Sequence, residues 1–205
     1  MVSAPSLPDS AYVPAAMASV KLLIAGHFGV GKTTFVGSAS EIAPLRTEER
    51  ITKASVGVDD LTGREGKTHT TVALDFGRIT LPQAGVALYL FGTPGQQRFA
   101  PLWGDLVAGA LGALVLADTR ALELTFPVVD AVEAHGLPYV VAVNQFDDAR
   151  PHALSDVRAA LDLDPLTPLM GCDARDQTSC HLSLIRLFEH LVTSRRDRSS
   201  RERPS

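Results

Sequence analysis

Gly26-His27-Phe28-Gly29-Val30-Gly31-Lys32-Thr33 spells G-x-x-x-x-G-K-T directly after the apolar run Val20-Lys21-Leu22-Leu23-Ile24-Ala25. Glycines in this pattern let the chain wrap closely around an anion, so that successive backbone N–H groups and the start of the next helix face phosphate oxygens. Lys32 adds a mobile positive charge for the outer phosphates, and the Thr33 hydroxyl can complete a Mg²⁺ shell. His27, Phe28, Gly29, Val30, Gly31, Lys32, Thr33 and Thr34 are therefore read as a nucleotide-phosphate cradle between a strand and a helix.

Outward from that stretch, strand-like apolar segments recur at 20–25, 70–76, 86–91, 110–117, 139–143 and 168–170. Helix-compatible stretches lie at 32–40, 97–108, 121–135, 155–161 and 179–194. Near-continuously apolar strands alternating with helices predict an α/β fold, a mostly parallel six-stranded sheet with helices on both faces. Ligands in such sheets gather at the C-terminal ends of strands. Motifs that directly follow a strand are therefore candidate site segments, and three more do so.

After Val86–Phe91 comes Gly92-Thr93-Pro94-Gly95-Gln96-Gln97-Arg98-Phe99. A backbone N–H at Gly95 can reach a terminal phosphate, and Gln96 can orient an attacking water; the plain alternative is a Pro-Gly turn. After Tyr139–Val143 comes Asn144-Gln145-Phe146-Asp147. A carboxylate at Asp147 accepts from both N1–H and the 2-amino group of guanine, whereas adenine would set its N1 acceptor against it. Cys172-Asp173-Ala174-Arg175 follows 168–171 and can bring the Ala174 N–H near the guanine O6, the alternative being an ordinary loop.

Composition bounds the rest. A chain of 205 residues with 45% hydrophobic content can bury one sizeable core, and the net charge of −4 argues against a general nucleic-acid binder. Residues 1–19, rich in Pro and Ser, read as a disordered N-terminal extension, 20–194 as the folded domain, and 195–205 as a basic disordered tail. A contact of that tail with a membrane or an acidic partner is the alternative. No run spans a bilayer, Val2 stands where myristoylation needs Gly, and Glu202–Ser205 holds no prenylatable Cys. The expectation is a cytoplasmic protein with no direct membrane anchor, recruited to a membrane only through partners. Cys172 and Cys180 are too few for a disulfide framework or a complete zinc site and are read as reduced core thiols.

In this order and at these separations, the four motifs over 20–194 resemble the Ras-like small GTPases, P-loop NTPases. The segment Phe91-Gly92-Thr93-Pro94-Gly95-Gln96 is most similar to bacterial gliding-motility (MglA-type) GTPases and their actinobacterial conserved-operon relatives, which are encoded beside a roadblock-type partner. The resemblance implies a switch I threonine at Thr71 in Thr71-Val72-Ala73-Leu74-Asp75-Phe76, with Thr70 as its rival, closing on Mg²⁺ while the γ-phosphate is present. Residues 40–69 would then be the mobile switch. Thr33 and Thr71 are the implied metal residues, and Gln96, Lys32 and Thr71 the catalytic ones. Asn144, Gln145, Asp147, Asp173, Ala174 and Arg175 would hold the base.

Three positions depart from the family pattern. Gly92 stands where most members have the Asp that holds Mg²⁺ through a water, Gln145 replaces a Lys that packs along the guanine ring, and Arg175 replaces a Lys. The resemblance implies GTP/GDP and Mg²⁺ as cofactors and slow intrinsic GTP hydrolysis in a signalling switch. It further implies acceleration by a roadblock-type regulatory protein, with the effector unidentified. A non-cycling nucleotide-binding scaffold and a P-loop kinase or ATPase are the alternatives. Phe99, Pro101, Leu102 and Trp103 are read either as a partner surface or as packing of switch II on the sheet.

Overall fold

The structure, a computed structural model, describes residues 17–51, 70–95 and 103–201. In chain order its elements are β1 (Ala18–Ala25), α1 (Lys32–Ala39), β2 (Leu45–Ile51), β3 (Thr70–Leu81), β4 (Val86–Gly92), α2 (Trp103–Val107) and β5 (Ala110–Ala117). They continue with α3 (Phe126–Ala134), β6 (Tyr139–Asn144), α4 (Leu154–Ala160), β7 (Leu169–Cys172) and α5 (Gln177–Arg201).

β1 is apolar on both faces because both faces are covered, and the alternation of side chains along a strand divides its residues between two cores. Leu22 and Ile24 pack with Phe35 and Val36 of α1 and Leu184 and Leu187 of α5. Leu23 and Ala25 belong with Val129 and Val132 of α3 and Val157 of α4. Burying four consecutive residues of one strand completely, Leu22 to Ala25, anchors the start of the Gly26 loop at the centre of the molecule.

The strand order is β2-β3-β4-β1-β5-β6-β7. β1 pairs in parallel with β4 on one side and β5 on the other, and β5, β6 and β7 continue the parallel array. The chain thus winds away from β1 in both directions, and the loops after β1, β4, β6 and β7 converge on one edge of the sheet, where ligands of such folds bind.

The α/β architecture is as expected, and the sheet carries a seventh strand. β2, Leu-Arg-Thr-Glu-Glu-Arg-Ile, pairs antiparallel with β3 at the sheet margin and lies inside the stretch expected to be a mobile switch. Its charged sequence suits an edge strand but carries no apolar run to mark it. α5 also runs to Arg201, past residue 194, where a disordered tail was expected to begin. No Gly or Pro interrupts 177–201, and arginines favour both helix propagation and the negative end of the helix dipole. Cys172 and Cys180 are buried free thiols. Among the described residues, no helix is long and apolar enough to cross a membrane.

Candidate functional site

The loop leaving β1 curls back over its own carbonyls. The Lys32 ammonium donates to Gly26 O at 2.8 Å and to His27 O at 2.7 Å, which fixes its long side chain along the inside of the loop. Burial pushes this ammonium down to about 8, partly opposed by the negative charge of Asp75. Gly31, which caps α1, has φ of +104°. A Cβ there would lie 2.6 Å from Asn144 Nδ2, so only glycine satisfies both conformation and space.

Asn144 joins three segments. Its Nδ2 donates to Val30 O and its Oδ1 accepts from the Ala174 N–H, both at 2.9 Å, and the residue is buried. One side chain therefore ties the phosphate loop to the loops after β6 and β7. Between these loops lies a cavity of about 380 Å³ lined by Gly31, Thr34, Asn144, Asp147, Ala174 and Arg175. That volume is within the range of small-molecule sites.

At the cavity mouth the Arg175 guanidinium donates to both carboxylate oxygens of Asp147 at 3.0 Å and to Asp173 at 2.9 Å. The hydrogen bonds from Arg175 hold the Asp173 carboxyl below the ordinary range. Arg120, at the end of β5, braces the same rim. It pairs with Asp118 at 2.8 Å and Asp148 at 2.5 Å, and its guanidinium stacks 3.6 Å from the centre of the Phe146 ring.

On the phosphate side, the Thr33 hydroxyl donates to Asp75 Oδ2 at 2.5 Å. Two hard oxygen donors thus stand together next to Lys32, a donor set suited to a divalent cation. Gly95 closes over the cradle, since a Cβ on it would fall 2.5 Å from Phe28 N and 2.7 Å from Lys32 Nζ.

The structure brings together Gly29, Gly31, Lys32, Thr33, Thr34, Gly95, Asn144, Gln145, Asp147, Asp173, Ala174 and Arg175. Gln145 is exposed on the cavity wall, while Phe28 is 74% exposed at the loop tip. The Ala174 N–H, the group expected to face a guanine O6, donates to the buried Asn144 Oδ1. Gln96, Arg98, Phe99, Pro101 and Leu102 lie outside the described residues, as do the side chains of Thr70 and Thr71. Trp103 is partly buried and packs on the core shared by α3 and α4. Sequence reading missed Arg120 and Asp148; the spacing Asp118-x-Arg120 at the end of an apolar strand was the available signal.

A glycine-rich cradle after a central parallel strand, stapled by a buried Asn to two loops that enclose a nucleoside-sized cavity, defines a nucleotide-binding P-loop protein with a G-domain fold. Residues 24–194 match the family described as conserved hypothetical ATP binding protein, and the chain belongs to that family. An uncharacterized protein of Methanocaldococcus jannaschii, MJ1339, is 28% identical over 130 residues, covering 62% of this chain and 71% of its own. Among solved structures, the FeoB G-domain from Methanococcus jannaschii superimposes with a TM-score of 0.57 at 12% identity, covering 85% of this chain and 99% of that one. The cytosolic domain of the T. maritima FeoB iron transporter in its GMPPNP form gives 0.58 at 17% identity, covering 84% of this chain and 64% of that one.

Proposed function

We propose that the protein is a guanine-nucleotide switch that binds GTP and GDP with Mg²⁺ and hydrolyses GTP slowly. The observation that carries the reading is Asp147, whose carboxylate stands at the mouth of the cavity reached by the phosphate loop. A carboxylate there matches the two adjacent donors of guanine and repels the N1 acceptor of adenine. Lys32 and the backbone of Gly29, Val30 and Gly31 bind the phosphates, Thr33 and Thr71 serve the cation, and Gln96 positions the attacking water. Mg²⁺ supplies neutralisation of charge on the outer phosphates, and the protein contributes mainly position and electrostatics. Acceleration by a roadblock-type partner rests on the resemblance of the Phe91–Gln96 segment, as does a role in bacterial signalling, with recruitment to membranes through partners.

A second reading, ATP binding, is favoured by the description of the family. Binding of GTP, GDP and ATP to the purified chain, with and without Mg²⁺, and phosphate release in the same samples separate the two. Guanine-selective binding with slow release supports the switch, and guanine binding without hydrolysis supports a scaffold. Preference for ATP overturns the assignment of Asp147. A Gln96→Leu protein that binds GTP and hydrolyses it at the parental rate removes Gln96 from the mechanism.

A further inference from the structure

Position 92, at the end of β4, is a glycine, and the place a side chain there would fill is already taken. The antiparallel register of β3 on β4 pairs Phe76 with Phe91, and one step further it sets Asp75 opposite Gly92. Residues directly opposite across two strands project to the same face. A Cβ on residue 92 would stand 3.1 Å from Asp75 Cβ and 3.4 Å from Asp75 Oδ2. The Asp75 carboxylate therefore reaches across the strand boundary into the space that the glycine leaves, and a side chain at 92 would require Asp75 to give way by a few tenths of an ångström.

We propose that Asp75 of β3 supplies the carboxylate of a divalent-cation site completed by Thr33, in place of a side chain at position 92; this rests on the nucleotide-switch reading above. Thr33 Oγ1 and Asp75 Oδ2 are 2.5 Å apart, joined by the hydroxyl proton. Adjacent ligands of an octahedral Mg²⁺ with bonds of about 2.0–2.1 Å stand about 2.9 Å apart. A separation increase of a few tenths of an ångström, with the hydroxyl turning its proton away, converts the pair from donor and acceptor into neighbouring ligands of one cation or of its water shell. Asp75 also lies close enough to Lys32 for its charge to be felt there, which places it on the phosphate side of the site. The same hydrogen bond ties α1 to β3 and keeps both oxygens in position.

The test uses the full chain and compares GDP affinity in Mg²⁺ with that in EDTA, together with the stoichiometry of Mn²⁺ bound to the GDP complex by electron paramagnetic resonance. Asp75→Asn keeps an oxygen that accepts from Thr33 but removes the charge, so a purely structural latch survives it. The expected result is a Mg²⁺/EDTA affinity ratio reduced by about tenfold or more and loss of the tightly bound Mn²⁺. The exchange variant Asp75→Gly/Gly92→Asp returns the carboxylate from the opposite strand and is expected to regain most of the ratio; it also carries the test should Asp75→Asn fail to fold. Wild-type ratio and Mn²⁺ stoichiometry in Asp75→Asn overturn the assignment, as does a folded exchange variant that regains nothing. A wild-type protein that binds GDP equally in Mg²⁺ and EDTA overturns it while leaving nucleotide binding intact. No guanine-nucleotide binding in either condition overturns the proposed function itself, and the cation assignment with it.

Discussion

The Arg175 guanidinium grips both carboxylate oxygens of Asp147 at 3.0 Å. The pair is largely exposed, so its own contribution to stability is small. Its consequence is orientation, because a carboxylate held by its edge at the cavity mouth keeps free lone pairs for an incoming base. Asp147→Asn replaces one acceptor by a donor and is expected to weaken GDP binding by about tenfold to a hundredfold while improving that of xanthosine diphosphate, whose 2-oxo group accepts. Calorimetric titration with both nucleotides reads this. Unchanged GDP affinity would take the base away from Asp147.

Asn144 is the residue on which the site's geometry depends most, since it alone bonds both Val30 O and the Ala174 N–H from a buried position. Asn144→Ala leaves that carbonyl and that N–H unpaired, at about 1–3 kcal/mol each where water cannot replace the partner. Urea unfolding should show a loss of about 2–6 kcal/mol for the two groups together, and GDP affinity should fall together with stability, because the two loops it joins are the two walls of the cavity. A variant with parental stability would show that water substitutes for the amide.

Different parts of this molecule were legible in the sequence to different degrees. The phosphate loop was readable because its glycines and Lys32 answer to the fixed size of a phosphate chain, and β1 because four fully buried residues in a row leave an unbroken apolar signature. β2 was not, since an edge strand of Arg, Thr and Glu has no hydrophobic period. Asp75 illustrates the harder limit. The resemblance marks Gly92 as the place of a missing carboxylate, and only the register of β3 against β4 shows which residue occupies that space. The rim built by Arg120 depends likewise on Asp118, Phe146 and Asp148 meeting from two separate strand ends.

Gly95 and Lys32 are close enough that a methyl on the glycine would sit 2.7 Å from the ammonium nitrogen. Gly95→Ala must lift this segment from the cradle, and with it the backbone N–H proposed to meet a terminal phosphate. GDP lacks that phosphate, so the substitution should lower GTP affinity by about tenfold and leave GDP affinity within about twofold, the cost of one charge-assisted hydrogen bond. Fluorescent-nucleotide competition measures the ratio. Equal losses for the two nucleotides would place Gly95 away from the outer phosphate.

Burial brings the Lys32 ammonium from an ordinary 10.5 to about 8, and this has opposite consequences for the free and the liganded protein. Between these values the unfolded chain holds a proton that the folded chain has released, so the contribution of Lys32 to stability rises with pH across the window and is lost as pH falls to about 8. Phosphate binding needs the charge and should weaken over the same window. Nucleotide-free wild type and Lys32→Met, compared by urea unfolding at about pH 7.5 and about pH 9.5, isolate the lysine from other titrating groups. Wild type is expected to gain stability relative to Lys32→Met at the higher pH while its GDP affinity declines. A stability difference that does not move with pH would mean that the ammonium keeps its proton in the loop, held by the carbonyls of Gly26 and His27 more strongly than burial disfavours it.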